Sequence, residues 1–194
     1  MTPPIYEPFS SEGVAATPSK LYELSSEEAS EALNRFCQFL QFETVSSLAP
    51  TTGAYKDCAA WLKRQLEPLF DQVFYLDEAP DHSPVVVAVW RGIDESLPVL
   101  LLNSHYDVVP ASDDWTVPPF QGLRKDGKIY GRGTQDMKCV CMQYIEALRI
   151  ISKENQGWKP ARSIYLTFVP DEGEKLFSLQ IISLSLSNVL GAAV

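Results

Sequence analysis

Histidine is scarce in this chain, two in 194 residues, and cysteine is little commoner at four. Cys37, Cys58, Cys139 and Cys141 are too few and too irregularly spaced for a disulfide framework, and no C-x-x-C pair exists for a zinc knuckle. Reduced thiols in a cytoplasmic protein are the expectation. Basic charge is short as well: 16 Lys and Arg stand against 25 Asp and Glu, a net charge of −9. Nucleic acid and anionic membrane surfaces both demand clustered cations, to release counterions or to meet lipid charge, so neither fits as a partner. The opening MTPPIYEPFSSEG lacks the basic stretch and apolar run of a secretory signal, and residues 1–24 read as a Pro-rich disordered arm. No internal repeat is apparent.

What is present is a globular composition, 45% hydrophobic and 21% charged, enough for one domain or most of one. Ser25 and Glu28 have capping-box spacing, and Leu33, Phe36, Cys37 and Leu40 follow on one helical stripe, predicting a helix from about Ser26 to Phe42. A second helix is expected after Gly53, with Tyr55, Cys58, Leu62 and Leu66 on its stripe, ending near Pro68. The runs Val73 to Leu76, Val85 to Trp90 and Val99 to Asn103 are β-branched or aliphatic and bounded by Pro, Gly and Asp, so they read as strands, two of them buried on both faces. A short strand at Gly127 to Gly131 enters a loop. Next come a helix carrying Met137, Val140, Cys141, Tyr144, Leu148 and Ile151, and a further strand at Ser163 to Val169. Helices interspersed with apolar strands indicate an α/β three-layer sandwich with a mostly parallel central sheet. Functional groups collect at the carboxyl ends of such strands.

Three acidic sites occupy such places. Ser104-His105-Tyr106-Asp107 directly follows the Val99 to Asn103 run, and residues i and i+2 of extended backbone point the same way. His105 can then bind a metal through neutral imidazole while Asp107 orients the ring and raises its basicity. The plainer alternative is a local hydrogen bond at a strand terminus, with Asp107 capping the turn before Pro110. Asp136 lies in Gly131-Arg132-Gly133-Thr134-Gln135-Asp136-Met137-Lys138, where glycine permits sharp turning and close approach to an ion. The competing reading there makes Thr134 an N-cap and Asp136 a complement to the helix dipole. Asp171-Glu172 follows Pro170 at the end of the last strand. Arg132 and Lys138 are read as solvated charges, and Trp115, Pro119 and Phe120 as structural at least as much as substrate-contacting.

Taken in order, LLLNSHYDVVPA (100–111), WTVPPF (115–120), GKIYGRGTQDMKC (127–139) and LTFVPDE (166–172) resemble the aminoacylase-1 branch of the dinuclear zinc aminoacylase/carboxypeptidase metallopeptidases. The resemblance runs from about Leu33 to Glu172. It implies a hydrolase that releases free amino acids from N-acyl-amino acids with two zinc ions per site. Residue by residue, it implies that His105 binds one zinc, Asp136 bridges both, Asp107 supports the histidine and Glu172 is the general base. The family homodimer is also implied.

The pattern then departs. The family has P-D-E-E where this chain has Pro170-Asp171-Glu172-Gly173-Glu174, and glycine has no side-chain oxygen with which to bind zinc. In extended backbone Glu174 shares the side of Glu172 rather than replacing the missing ligand. Beyond Glu174 no family motif follows: a further acidic ligand, the last histidine ligand and the lid and dimerisation domain have no counterpart. The other histidine, His82, sits in an Asp-His-Ser-Pro turn outside every motif. Residues 25–172 are thus expected to be the front of a catalytic domain. Residues 173–194 are expected to be an atypical tail, arising from splicing or a gene-model error, that impairs activity. From Leu176 to Val194 there is no charge, but polar residues interrupt the run and no basic flank follows, so a membrane span is not expected. A dipeptidase or carboxypeptidase of the same family, and a non-catalytic fragment that associates through its apolar tail, stay open as alternatives.

Overall fold

The computed structural model describes residues 25–76, 83–154, 157 and 159–170. The expected arm at 1–24, the turn holding His82, Asp171, Glu172 and the expected tail at 173–194 lie outside them. Helix α1 (Ser26–Leu40) opens on the capping box expected: Ser25 Oγ accepts from Glu28 N–H at 3.2 Å, and the Glu28 carboxylate accepts from Ser25 N–H at 3.0 Å. A single turn, α2 (Ala49–Thr52), ends at Gly53, whose φ of 82° leads straight into α3 (Ala54–Leu66). The last helix, α4 (Lys138–Glu154), starts one residue later than its apolar stripe suggested.

The strands are β1 (Gln72–Tyr75), β2 (Val86–Trp90), β3 (Leu100–His105), β4 (Leu123–Lys125), β5 (Lys128–Tyr130) and β6 (Ile164–Val169). Strands β4 and β5 form a separate hairpin, and the others one sheet in the order β1-β2-β6-β3. The α/β architecture therefore stands, with a mixed sheet: β3 and β6 run parallel, and the β1–β2 and β2–β6 pairs are antiparallel. The parallel pair needs a long crossover, and α4 lies within it. Of the three strands expected first, only β2 is buried throughout. The expectation of two fully buried runs fails at β3, where Leu100 and Leu101 are exposed. An edge strand is covered on one long side only, and β3 is at the edge of the described sheet.

One sheet face meets all three long helices. Val86, Ala88, Leu166 and Phe168 pack there against Phe39 of α1, Leu62 of α3 and Ile145 of α4, with Phe39 stacked on Trp61 at 5.3 Å. A bidentate ion pair from Arg35 to Glu146, at 2.7 and 2.8 Å, fastens α1 to α4. The opposite face, with Val87, Val89, Tyr165 and Val169, is also apolar and buried, and no helical residue joins it among the described residues. The consequence for function is positional: β3 and α1 both deliver their C-terminal ends to the start of α4.

Candidate metal centre

At the end of β3, His105 and Asp107 point the same way, as the i, i+2 argument required. Nδ1 of His105 lies 3.2 Å from the Asp107 carbonyl oxygen, with hydrogen-bond geometry, and 3.0 Å from Asp107 Oδ1. Both residues are only 6% exposed. A carbonyl oxygen can only accept, so Nδ1 carries a proton, and in the neutral ring Nε2 then carries the lone pair. Register explains the placement. His105 pairs with Val169 across the parallel ladder, and Tyr106 N–H donates to Val169 O at 2.9 Å, holding the imidazole at the strand's last ordered position.

Asp136 comes from a different segment. Residues 132–137 form successive turns before α4, and the Asp136–Met137 peptide is cis. Thr134 does not cap the helix; its hydroxyl donates to Gly131 O at 2.9 Å inside that turn run. Asp136 Oδ1 stands 3.3 Å from His105 Nε2, on a side chain that is 86% exposed. Two ligands about 2.0–2.2 Å from a tetrahedral ion lie roughly 3.3–3.6 Å apart, so this separation is that of a coordination edge. In the tautomer just assigned, both facing atoms are electron-pair donors, which is the chemistry of a cation site. His105, Asp107 and Asp136 are therefore brought together, while Glu172 falls outside the described residues. Among the described residues no group of three His, Cys, Asp or Glu that could hold an ion is present.

Several neighbours were not anticipated. Lys138, read from the sequence as solvated, is fully buried: Nζ donates to Phe39 O at 3.2 Å and Phe42 O at 2.8 Å, and sits over the Phe39 ring at 5.1 Å. Burial pushes its ammonium pKa down to about 8. The sequence held a signal for this, because Lys138 shares a helical stripe with Cys141, Ile145 and Leu148. Arg132 is not freely solvated either; it lies 5.1 Å over the Trp115 ring and donates to Pro110 O at 3.0 Å. The glycines matter by packing. Gly133 has φ +89°, and a Cβ there would meet Val108 Cγ1 at 3.0 Å and Lys138 Cδ at 3.1 Å. Ser46 Oγ donates to Asp107 Oδ2 at 2.9 Å, a contact no motif announced. All four cysteines are unpaired with one another. Burial drives the Cys58 and Cys141 thiols up to about 12, so neither offers a thiolate to this site.

Residues 101–175 match the sequence description of Peptidase family M20/M25/M40. Aminoacylase-1 of Sus scrofa is 42% identical over 139 residues, 71% of this chain and 32% of its own length. Aminoacylase-1 of Dictyostelium discoideum is 50% identical over 92 residues, 46% of this chain and 22% of its own. The chain thus spans about a third or less of the curated relatives it matches. Human carnosine dipeptidase 1 superposes with a TM-score of 0.71 at 22% identity, covering 87% of this chain and 37% of that one, a likeness of fold alone. Residues 101–175 thus match the description of peptidase family M20/M25/M40, and the chain is similar to aminoacylase-1 over the greater part of its length.

Proposed function

We propose that this chain supplies the front part of a zinc-dependent amidohydrolase that cleaves N-acyl-L-amino acids to a carboxylate and a free amino acid. The observation that carries the reading is the 3.3 Å pair of His105 Nε2 and Asp136 Oδ1, backed by Asp107 at Nδ1, inside the family-matched segment. His105 and Asp136 hold zinc in this reading, with Asp136 shared between two ions as the resemblance implies. Asp107 fixes the imidazole tautomer. Glu172, three residues past the end of β6, acts as general base on a water molecule. Zinc, when bound, polarises the amide carbonyl and acidifies that water. Residues 25–172 are the catalytic-domain part, and the cytoplasm is the proposed location.

Gly173 stands where the family pattern has a ligand glutamate, so turnover by this chain is expected to be far below that of a complete family site. The test is hydrolysis of an N-acetyl-L-amino acid by the purified chain with and without zinc, beside zinc retention on dialysis. Zinc held by the chain and lost in Asp136→Ala, with any hydrolysis lost alongside, is the expected result. Zinc retention and hydrolysis that are both indifferent to Asp136→Ala would overturn the reading. A dipeptide cleaved faster than the N-acetyl compound would move the substrate class to peptides.

A further inference from the structure

After α1 the chain turns and runs beside the segment that follows β3. Val45 and Val108 form an isolated parallel bridge, Val108 N–H donates to Thr44 O at 2.8 Å, and Ser46 N–H donates to Val108 O at 3.1 Å. The buried Thr44 hydroxyl donates to Tyr106 O at 2.6 Å. Residues 44–46 are therefore held along 106–108 by backbone bonds on both strands and by a side chain, which fixes where Ser46 points. Its one hydroxyl proton has two acceptors in reach, Val108 O at 3.4 Å and Asp107 Oδ2 at 2.9 Å. The carboxylate is nearer and charged, so it takes the bond.

Rotation about the terminal bond of an aspartate is broad and roughly two-fold, so an unrestrained carboxylate would not hold one oxygen against the ring. Here Oδ2 is taken by Ser46 and Oδ1 faces His105 Nδ1 at 3.0 Å. We infer that Ser46 is a positioning residue of this centre: its hydroxyl pins the Asp107 carboxylate 3.0 Å from Nδ1 of His105, where its charge adds to the hydrogen bond accepted by the Asp107 carbonyl in keeping the proton on Nδ1 and the neutral ring's Nε2 lone pair directed at Asp136. The link to metal rests on the proposed function; the link from Ser46 to the imidazole does not. Ser46 lies 61 residues before Asp107 and touches neither facing atom, so its effect passes through Asp107 alone.

The test reads the imidazole and the metal separately. Imidazole nitrogen shifts of the metal-free chain, recorded in a His82→Gln background so that one ring reports, give the His105 tautomer at fixed pH. Zinc affinity comes from competition with a chromophoric chelator. Ser46→Ala and Ser46→Gly both delete the hydroxyl, two variants being used so that a packing defect in one does not decide the outcome, and Ser46→Thr retains it. Expected are a single Nδ1–H form in the parent and in Ser46→Thr, a mixed population in the two deletions, and zinc affinity about tenfold weaker in those deletions. Should no form bind zinc while the deletions still shift the tautomer, the inference stands and the metal reading falls. A tautomer unchanged by the deletions would overturn it, as would a Ser46→Thr variant that keeps its amide spectrum yet behaves like Ser46→Ala.

Discussion

Lys138 carries its charge in a place that water does not reach, and the energetic consequence has a definite sign. Its pKa is about 8 in the folded chain against 10.5 for an ordinary lysine. Between those values the unfolded chain binds more protons than the folded one, so folding gains stability as pH rises from about 8 to about 10.5. The full effect is roughly 3 kcal/mol. Unfolding in urea of the metal-free parent and of Lys138→Met should therefore diverge across that window, the parent gaining on the variant. A difference that stays flat from neutral pH to pH 10.5 would remove the buried charge from the account. At this scale the reading from sequence was uneven for a physical reason. His105, Asp107 and Asp136 stood out because ligand residue types occupied a strand end and a helix start. Ser46 did not, since its partner is 61 residues away and a lone hydroxyl has no spacing signature. Lys138 was misjudged because residue type outweighed its position on the apolar stripe of α4.

Among the elements, the turn run at 132–137 is held closely at Gly133. Gly133→Ala must bear a φ of +89° and also displace Val108 and the Lys138 stem, each about 3 Å from the new methyl carbon. A left-handed non-glycine residue costs on the order of 1–3 kcal/mol. The variant should lose at least that much stability in urea, and a loss below about 0.5 kcal/mol would mean that the turn relaxes cheaply. The helices and the apolar strands were legible because capping and periodicity are local. The edge position of β3 was not, since Val99 to Asn103 reads like Val85 to Trp90, and sheet order alone decides which run is covered. The short β4 and the single turn α2 left no trace in the periodicity, having too few residues to express one.

On the scale of the described residues together, the open side of β3 is a surface exposed to misuse. Leu100 and Leu101 are 45% and 37% exposed on a strand with no described neighbour beyond it, and an apolar edge is a template for another strand. Leu101→Lys should lower concentration-dependent association in light scattering without lowering the thermal midpoint; association unchanged by the charge would place the sticky surface elsewhere. The parallel ladder itself has another bearing. Strand β6 is finished at Val169, level with His105, and Gly173, where the sequence leaves the family pattern, comes later. The described scaffold, with His105, Asp107 and Asp136 on it, is thus laid down before that departure. A protein altered only past that point keeps its helices, its described sheet and any epitope upon them. Abundance, an antibody signal or a circular dichroism spectrum would then count it as normal, and under the proposed function a measurement on zinc or substrate would reveal the difference.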